Sequence, residues 1–592
     1  MNPLAYYQDR LEHIQAGLVT LEAKQSMSAG ILGLAVVLFV TVGFIAINKR
    51  ALPLWYPPLS LSVIFVSARD YGRRQAARLR FARLRDFHTS GINRLQDKWM
   101  GAGETGEEFS GDGHLYAQDL NLFGHGSVFE RLCITRTRIG ARKLAAFLQA
   151  APSTIEECLA RQEAVKELRG AAGLRETMAG LGKEFNQASW ETFSAWLNRE
   201  PESFAPWMRV AAPILAALTI VFVCLAAAGI VPPGLCVPIV VAQVALGAEL
   251  RERVLRVIEG SRILGIEIGL LSEGLVLLAG QRFESPKLRE LSRQAAEPGE
   301  ALRELSRFLN VMAEREKEWF YFPLLILMGG SQCAMAMEAW RQRHGVDFAR
   351  WIDGWAEFEA LNALACYAFE CPEDAFPSFD SGAPVFEGEG LGHPLLPVAT
   401  CTRNDVQLNG NAGGTRLLLI SGSNMAGKST LMRTIGLAAV LAAAGAPVRA
   451  RRLRLSLFST CASLSIQDAI QEGRSKFQAE LDRLRETIAM AQAKPPVLFL
   501  IDEIFGGTNS RDRRVAAEAV IRTLVSAGAV GAVSTHDLTL TEIAGLEGIG
   551  GVNVHMGSRP DGGPLDFDYL LKPGVTTETN ALAIARLAGV PV

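Results

Sequence analysis

One nine-residue segment constrains the fold of this 592-residue chain more than any other feature of its sequence. The segment follows a short apolar run, Arg416–Ile420, precedes an apolar stretch typical of a helix, and fits G-x-x-x-x-G-K-[ST]. In this pattern the glycines let backbone N–H groups surround phosphate oxygens at a helix N-terminus. The residues expected to bind ATP in this way are Gly422, Ser423, Asn424, Met425, Ala426, Gly427, Lys428, Ser429 and Thr430. The segment predicts an α/β domain of the P-loop NTPase class.

A second apolar run supplies the carboxylates that such a site needs. Val497–Ile501 is typical of a strand buried on both faces, and Asp502 and Glu503 follow it directly. We expect Asp502, together with Ser429, to hold Mg²⁺, while Lys428 reaches the β- and γ-phosphates. Glu503 is then placed to polarise the attacking water.

A third strand, Ala529–Val533, ends close to His536. A single histidine is often purely structural, and that alternative stays open. The convergence of three strand ends on one crevice nevertheless favours a catalytic role, in which His536 senses the γ-phosphate. The sequence therefore predicts Mg²⁺-dependent ATP hydrolysis by Lys428, Glu503 and His536.

Long uncharged stretches predict membrane spans. Gln25–Asn48 and Ala51–Ala68 carry no charge, and neither does Val210–Ala248, which Pro232 and Pro233 divide. About 20 apolar residues cross a bilayer as a helix, so we predict two hairpins and four spans. The alternative is a set of buried helices in a large soluble core, and that alternative is preferred for the shorter stretch Trp319–Met337.

Positive charge follows the first predicted hairpin and sets its orientation. Cytoplasmic flanks of membrane spans are rich in arginine and lysine. The arginines after Ala68 are Arg69, Arg73, Arg74, Arg78, Arg80, Arg83 and Arg85. They place both termini in the cytoplasm, where these side chains suit anionic lipid heads better than DNA phosphate. We predict a multi-pass protein of the inner (plasma) membrane with a cytoplasmic ATPase domain.

The charge and cysteine content exclude some classes of protein and site. The formal net charge of −2 excludes a globally basic nucleic-acid coat. The nine cysteines contain no CxxC pair, so neither a disulfide framework nor a zinc site is expected. The chain divides into a cytoplasmic segment (1–24), a transmembrane hairpin (25–68), a basic helical linker (69–116), a helical part (117–209), a second hairpin (210–248), further helices (249–370) and an ATPase domain (371–592).

Several motifs resemble the MutS family of mismatch-repair ATPases. The resemblance is most specific over Gly392–Val592 and weaker over Asp119–Arg169. Its motifs are Ser423–Thr430, Gln471–Glu480 (G-R-S-x-F-x-x-E), Ile501–Ser510 (D-E-x-x-x-G-T-S), Ser534–His536, Asn553–Met556, Tyr569–Gly574 and Ala585–Pro591. The resemblance implies an ABC/MutS-type C-terminal domain and an all-α core, or lever, domain formed by 117–209 and 249–370.

The resemblance also implies a homodimer that forms through the ATPase domains. Ser475 would then reach the γ-phosphate of the partner subunit in trans, although a helix N-cap is the alternative for this serine. His555 would pack near the adenine. Cys401 stands where the family has an aromatic residue beneath the base.

Three hypotheses for function follow. The first is a membrane-anchored MutS-like ATPase that binds mismatched or branched DNA. The second is a membrane-bound, ATP-driven conformational switch that acts on a protein partner without DNA. The third, half of an ABC transporter, is disfavoured because the sequence has no Leu-Ser-Gly-Gly-Gln stretch and the predicted spans lack charged residues. The expected N-terminal organisation has no mismatch-reading module ahead of the core.

Overall fold

The fold is that of a computed structural model, which describes residues 2–49, 56–111, 113–182, 202–227, 230–261, 264–315, 327–423, 425–464, 476–506, 509–559 and 566–576. In these residues the α-helices are α1 (Pro3–Lys49), α2 (Tyr56–Leu95), α3 (Val128–Leu132), α4 (Arg138–Gln149), α5 (Ile155–Arg169), α6 (Ala172–Ala179), α7 (Pro206–Ala227), α8 (Val237–Ser261), α9 (Leu264–Ala279), α10 (Pro286–Ala296), α11 (Gly299–Arg315), α12 (Gly329–Glu370), α13 (Lys428–Ala444), α14 (Lys476–Ala491) and α15 (Ser510–Ser526). The β-strands are β1 (Ser378–Asp380), β2 (Val385–Leu391), β3 (Asn404–Asn409), β4 (Leu417–Ser421), β5 (Arg452–Ser456), β6 (Ser459–Ser463), β7 (Val497–Asp502), β8 (Val530–Thr535), β9 (Gly551–His555) and β10 (Lys572–Pro573).

Helices α1 and α2 pack against each other as a long hairpin. The 47 residues of α1 extend about 70 Å at 1.5 Å per residue. Its first half packs into the protein, where Tyr7 and Ile14 are buried, whereas Leu34 and Phe44 in its second half are 71% and 66% exposed. Most of the exposed large apolar side chains of α1 lie in this second half.

Three described helical segments are long and apolar enough to cross a membrane. They are Pro3–Ile45 in α1, Pro206–Ala226 in α7 and Gly234–Val257, which includes most of α8. The predicted span Ala51–Ala68 is covered only from Tyr56, where α2 begins, and residues 51–55 lie outside the described part of the chain. Helix α2 continues without a break through the predicted boundary at residue 68 and includes all seven arginines of the predicted basic segment.

The segment after α2 is more ordered than a linker. Glu130 accepts hydrogen bonds from the backbone N–H groups of Gly101 (2.5 Å) and Gly103 (3.2 Å). Phe109 ends a short 3₁₀ helix and packs against the hydrophobic core. A glycine-rich composition predicts flexibility, but here one buried carboxylate anchors the backbone.

Helix α12 organises the helical part of the chain. It packs against α4, α5, α8, α10 and α11. Trp340 and Trp355 are fully buried along it, and almost every residue from Trp355 to Glu370 is buried. Residues 319–326 of the predicted apolar stretch Trp319–Met337 lie outside the described residues, and α12 begins at Gly329 in its second half.

Two sheets follow α12. The smaller sheet has the strand order β1-β5-β2-β3, and the larger has the order β10-β9-β4-β8-β7-β6. In the larger sheet β9, β4, β8, β7 and β6 are parallel, and β10 pairs antiparallel with β9. Every residue of β4 and β8 is buried, as expected for parallel strands covered on both faces.

Helix α13 connects this sheet to the helical part. A Cβ added at Gly436 would lie 2.7 Å from a Leu120 side-chain carbon and 2.8 Å from Leu500 Cδ1. Leu120 precedes α3 and Leu500 lies in β7, and both belong to the same hydrophobic core cluster. Helix α13 therefore packs between the helical part of the chain and the larger sheet. Only the smallest side chain fits at this crossing.

Candidate functional site

The parallel register brings three strand ends to one edge of the larger sheet. Ser421 at the end of β4 is paired with Thr535 of β8, and Asp502 of β7 is paired with Ser534. The carboxyl ends of adjacent parallel strands form the crevice in which ligands of open α/β sheets bind. The predicted phosphate-binding loop, carboxylates and histidine therefore meet at a single place.

The loop between β4 and α13 turns sharply at its glycines. Gly422 has φ 151° and Gly427 has φ 97°, a left-handed conformation that favours glycine. A Cβ on Gly422 would collide with the carbonyl oxygen of Met556. Met425 at the tip has φ 74° and is 72% exposed. Asn424 lies outside the described residues.

The side chain of Lys428 folds back onto this loop. Its Nζ donates hydrogen bonds to the carbonyl oxygens of Gly422 (2.7 Å) and Ser423 (3.0 Å). Burial lowers the pKa of Lys428, whereas the nearby Asp502 and Glu503 favour its charged form. Two carbonyl oxygens of the loop therefore hold the ammonium group close to the start of α13.

Asp502 joins two hydroxyl groups across the sheet edge. The Ser429 Oγ donates to Asp502 Oδ2 at 2.5 Å, and the Ser534 Oγ donates to Asp502 Oδ1. A carboxylate and a hydroxyl are hard oxygen donors of the type that Mg²⁺ takes alongside substrate phosphates and water. The donor set present at Ser429 and Asp502 therefore fits a magnesium ion.

Glu503 and His536 form a second pair beside the first. His536 Nδ1 lies 3.2 Å from Glu503 Oε1, and both side chains remain about half exposed. Glu503 has φ 51°, and its N–H donates to the carbonyl oxygen of Ser534 at 3.2 Å. The left-handed turn directs this carboxylate away from the strand, towards the open side of the loop.

A cavity of about 550 Å³ lies over Lys428, Ser429, Asp502 and Glu503, and His536 is not among its lining residues. Its lining residues are Leu391, His393, Leu396, Thr400, Thr402, Asn404, Ser423, Met425, Gly427, Lys428, Ser429, Thr430, Leu431, Thr434, Asp502, Glu503, Met556 and Tyr569. The phosphate loop and the carboxylates form one side of it, while β2, β3 and the segment between them form the other. Polar groups converge at one end of an otherwise largely apolar cavity, which is the usual form of a ligand site.

Some predicted site residues lie elsewhere. His555 Nδ1 is 3.3 Å from the carbonyl oxygen of Gly574, and the next residue, Met556, lines the cavity in its place. The Cys401 sulfur lies 3.9 Å from the carbonyl oxygen of His393, and this cysteine is not among the lining residues. Ser475 lies outside the described residues.

Other groups at the site escaped the sequence analysis as functional candidates. Glu480 Oε1 accepts a hydrogen bond from the N–H of Phe505 at 2.6 Å and so fixes the turn after Asp502. Tyr569 reaches the cavity although it lies 165 residues from its hydrogen-bond partner Asn404. Both residues lie in segments that resemble the family, Glu480 at the end of the G-R-S-x-F-x-x-E segment and Tyr569 at the start of Tyr569–Gly574, but neither was predicted as a site residue.

Comparison with known proteins agrees with this geometry. The family profile MutS domain V matches residues 418–592, which include the loop, both carboxylates and His536. The DNA mismatch repair protein MutS of Lactobacillus delbrueckii subsp. bulgaricus is 31% identical over 245 residues, 40% of this chain and 28% of that protein. Endonuclease MutS2 of Thermus thermophilus is 36% identical over 201 residues, 34% of this chain and 26% of that protein.

A plant relative aligns over a longer segment. The DNA mismatch repair protein MSH6 of Arabidopsis thaliana is 29% identical over 336 residues, which are 52% of this chain and 23% of that protein. The chain thus spans about a quarter of the length of each of these relatives. The similarity confirms the predicted P-loop type of the C-terminal domain.

Proposed function

The chain belongs to the MutS family through its domain V, and we propose that it is a membrane-anchored ATPase that binds and hydrolyses ATP as a dimer. One observation supports this proposal most: the Ser429 hydroxyl and the Asp502 carboxylate meet at 2.5 Å beneath the glycine loop. The hydroxyl lies at the start of a helix and the carboxylate at the end of a strand, 73 residues apart in the sequence. P-loop NTPases use such a pair to hold Mg²⁺ for phosphoryl transfer.

The phosphates of ATP would bind at the N-terminus of α13. Lys428 would exchange the loop carbonyls for the β- and γ-phosphate oxygens, which are stronger acceptors for an ammonium group. Ser429 and Asp502 would hold Mg²⁺, which supplies positive charge against the phosphates when it is bound. The backbone N–H groups around Gly427 complete the anion site.

Hydrolysis would proceed by in-line attack of water on the γ-phosphate. Glu503 would orient that water, and His536, in contact with the Glu503 carboxylate, would assist by holding the carboxylate and sensing the γ-phosphate. Ser475 of a second subunit would complete the site in trans. His555 stays a proposed neighbour of the base, although it does not line the cavity described above.

The apolar helices would anchor the protein in a bilayer. The 21 residues Pro206–Ala226 extend about 32 Å as a helix, close to the roughly 30 Å hydrocarbon thickness. In each of the three candidate spans, only 11% to 22% of an apolar 18-residue stretch is buried within the protein. Exposed apolar surface on this scale is stable against lipid and unfavourable in water.

We retain the domain division on this basis. Residues 25–68 and 210–248 would form the hairpins, 69–116 a basic segment at the cytoplasmic lipid surface, and 371–592 the ATPase domain below an all-α lever domain. Residues 1–24 and the ATPase domain would share the cytoplasmic side of an inner (plasma) membrane. The turn between α7 and α8 would face the opposite side.

Natural cysteines test this topology. Cys236 lies in the turn between α7 and α8, whereas Cys401 lies within the proposed ATPase domain. A membrane-impermeant maleimide should label Cys236 in intact cells and Cys401 only after permeabilisation. Cys236→Ser is the matched control, and labelling that does not depend on Cys236 would contradict the topology.

Two candidate partners follow, and they can be separated. MutS and MSH6 relatives carry the name DNA mismatch repair protein, which favours mismatched or branched DNA as the partner. The two hairpins favour the alternative, since ATP-driven dimerisation would move membrane spans and act on a protein partner. DNA binding through phosphate contacts weakens steeply with salt.

Fluorescence anisotropy with homoduplex, mismatched and four-way-junction DNA, each at low and high salt, decides between them. Salt-sensitive binding to any of these DNAs supports a nucleic-acid role. Absence of binding at low salt, together with a co-purifying protein, supports the conformational switch.

A further inference from the structure

The turn that follows β7 carries Glu503 in a conformation that needs support. Glu503 and Phe505 are not glycines, yet both lie in the left-handed region, with φ 51° and 53°. The N–H of Gly506 donates to the carbonyl oxygen of Glu503 at 3.0 Å and closes the turn. Residues other than glycine keep this conformation only where the surrounding structure enforces it. The orientation of the Glu503 carboxylate therefore depends on the contacts that hold the turn.

Arg513 of α15 holds this turn by its carbonyl groups. Its Nε donates to the carbonyl oxygen of Phe505 at 3.0 Å, and its Nη2 donates to that of Gly506 at 3.1 Å. The planar guanidinium presents its N–H donors in fixed directions, which suits two adjacent carbonyl groups. The side chain is only 13% exposed, so water competes little for these hydrogen bonds. The shape of the turn is thus fixed from a helix that begins after it.

The third nitrogen of the same guanidinium faces the segment that carries His536. Arg513 Nη1 lies 3.7 Å from an oxygen of Asp537, the residue directly after His536. The other Asp537 oxygen accepts hydrogen bonds from the N–H (3.0 Å) and the hydroxyl (2.7 Å) of Thr539. Burial alone would raise the pKa of Asp537, but the Thr539 hydrogen bonds and the charges of Arg513 and His536 outweigh it and lower the pKa. Asp537 is therefore a charged partner for Arg513 at neutral pH.

Arg513 thus joins the two segments that carry Glu503 and His536. These two side chains also contact each other, with His536 Nδ1 3.2 Å from Glu503 Oε1, but they are 51% and 40% exposed for His536 and Glu503. Contacts between such exposed groups are weak, because water and salt compete with them. The contacts of Arg513 are more buried, so they are the firmer connection between the two segments.

We propose that Arg513 is a positioning residue, which holds Glu503 and His536 in the relative orientation needed for attack of water on the γ-phosphate. This inference rests on the proposed hydrolysis of ATP. Arg513 is not among the residues that line the 550 Å³ cavity, so it acts on turnover and not on nucleotide binding. A displacement of about 1 Å in a catalytic group is enough to slow a reaction about 10²-fold.

The first test separates turnover from binding. The single-turnover rate of ATP hydrolysis and the dissociation constant for ATP are measured with Mg²⁺ on the full chain in nanodiscs. Arg513→Ala should lower the rate about 10²-fold and leave the dissociation constant within about twofold. Arg513→Lys should recover only part of the rate, because an ammonium group keeps the charge but cannot reproduce the planar contact with two carbonyl groups.

A second test shows whether Arg513 acts through Glu503. Residues that act as one unit have effects that do not add. The double variant Glu503→Ala/Arg513→Ala should therefore hydrolyse ATP as slowly as Glu503→Ala alone. A purely structural role would instead slow the double variant by the product of the two single effects.

Arg514→Ala is the matched control, because Arg514 lies on the same helix and pairs instead with Glu542 at 2.6 Å. It should leave both the rate and the affinity unchanged. An unchanged rate in Arg513→Ala would overturn the inference, and so would an equal loss of rate and affinity or a multiplied loss in the double variant. If the unmodified chain shows no hydrolysis that depends on Lys428, the proposed function fails and this inference fails with it. If that hydrolysis is present and Arg513→Ala retains it, only the inference fails.

Discussion

Replacing Glu370 by glutamine should loosen the junction between α12 and the N-terminal hairpin. Glu370 ends α12 and is buried, and its carboxylate accepts hydrogen bonds from Arg94 of α2 and Arg131 of α3, each at 2.7 Å. Tyr7 of α1 donates a third, at 3.0 Å. One carboxylate thus joins three helices at the point where the chain enters its β-strands.

The expected loss of stability follows from the charges that surround Glu370. Burial alone would raise the pKa of Glu370, but the guanidinium groups of Arg94 and Arg131 outweigh it and hold the pKa at about 2, against an ordinary 4.5. At about 1.36 kcal/mol per pKa unit, the charged form is stabilised by about 3 kcal/mol. This value agrees with the cost of removing one partner from a buried ion pair, which is about 3–5 kcal/mol.

The pH dependence has a definite sign. Because the folded-state pKa is lower than the unfolded one, this contribution is complete above pH 4.5 and is lost as the pH falls towards 2. The difference between the unmodified chain and Glu370→Gln should therefore be constant near neutral pH. It should shrink once the pH falls below about 4.5.

Hydrogen exchange of peptides from the C-terminal end of α12, followed by mass spectrometry in nanodiscs, measures the effect locally. A loss of about 3 kcal/mol corresponds to exchange faster by about 10²-fold when reclosing is fast, so that the opening equilibrium sets the exchange rate. Glu373→Gln, an exposed neighbour, is the matched control and should change nothing. An acceleration of Glu370→Gln no larger than that of the control would refute the reasoning.

Four shorter predictions follow. Lys428→Ala should weaken ATP binding about tenfold or more, since hydrogen bonds from a charged donor are lost, and unaltered binding in a filter assay would contradict this. Glu503→Ala should keep ATP binding but slow turnover about 10²–10⁴-fold, so light scattering should show an ATP-bound dimer accumulating; persistent monomers would count against it. His536→Ala should lower the single-turnover rate about tenfold without changing ATP affinity, and an equal loss of both would assign the residue to binding. Gly436→Val should lower stability by about 1–3 kcal/mol through overpacking against Leu120 and Leu500, visible as a lower denaturation midpoint, and an unchanged midpoint would exclude that packing.

The candidate site was largely predictable because most of its residues belong to short motifs of consecutive residues. The glycine loop requires consecutive residues, and parallel strands place Asp502 beside Ser429 once the strands are recognised. Tyr569 begins a segment that resembles the family, but its place beside the cavity was not predictable, since it depends on Asn404, 165 residues away, and on a left-handed turn. Contacts between distant segments of this kind leave no periodic pattern in a sequence.

The long apolar helical segments were predictable from uncharged length, but their continuation into the protein was not. The same helix α1 that carries exposed Leu34 also buries Tyr7 in the core, and Arg10 pairs with Glu176 of α6 at 2.6 Å. A boundary drawn where charge begins cuts through this helix, because one helix continues from its exposed apolar half into its packed half. Composition therefore located the apolar segments and missed that each N-terminal helix is continuous.

The most direct test of a membrane-anchored MutS-type ATPase is the steady-state rate of ATP hydrolysis by the full chain embedded in nanodiscs, compared with Lys428→Ala in the same preparation. We expect Mg²⁺-dependent turnover in the unmodified protein and loss of that turnover in the variant. Equal rates in the two proteins would contradict the assignment of the site, and so would absence of hydrolysis in a chain that binds ATP.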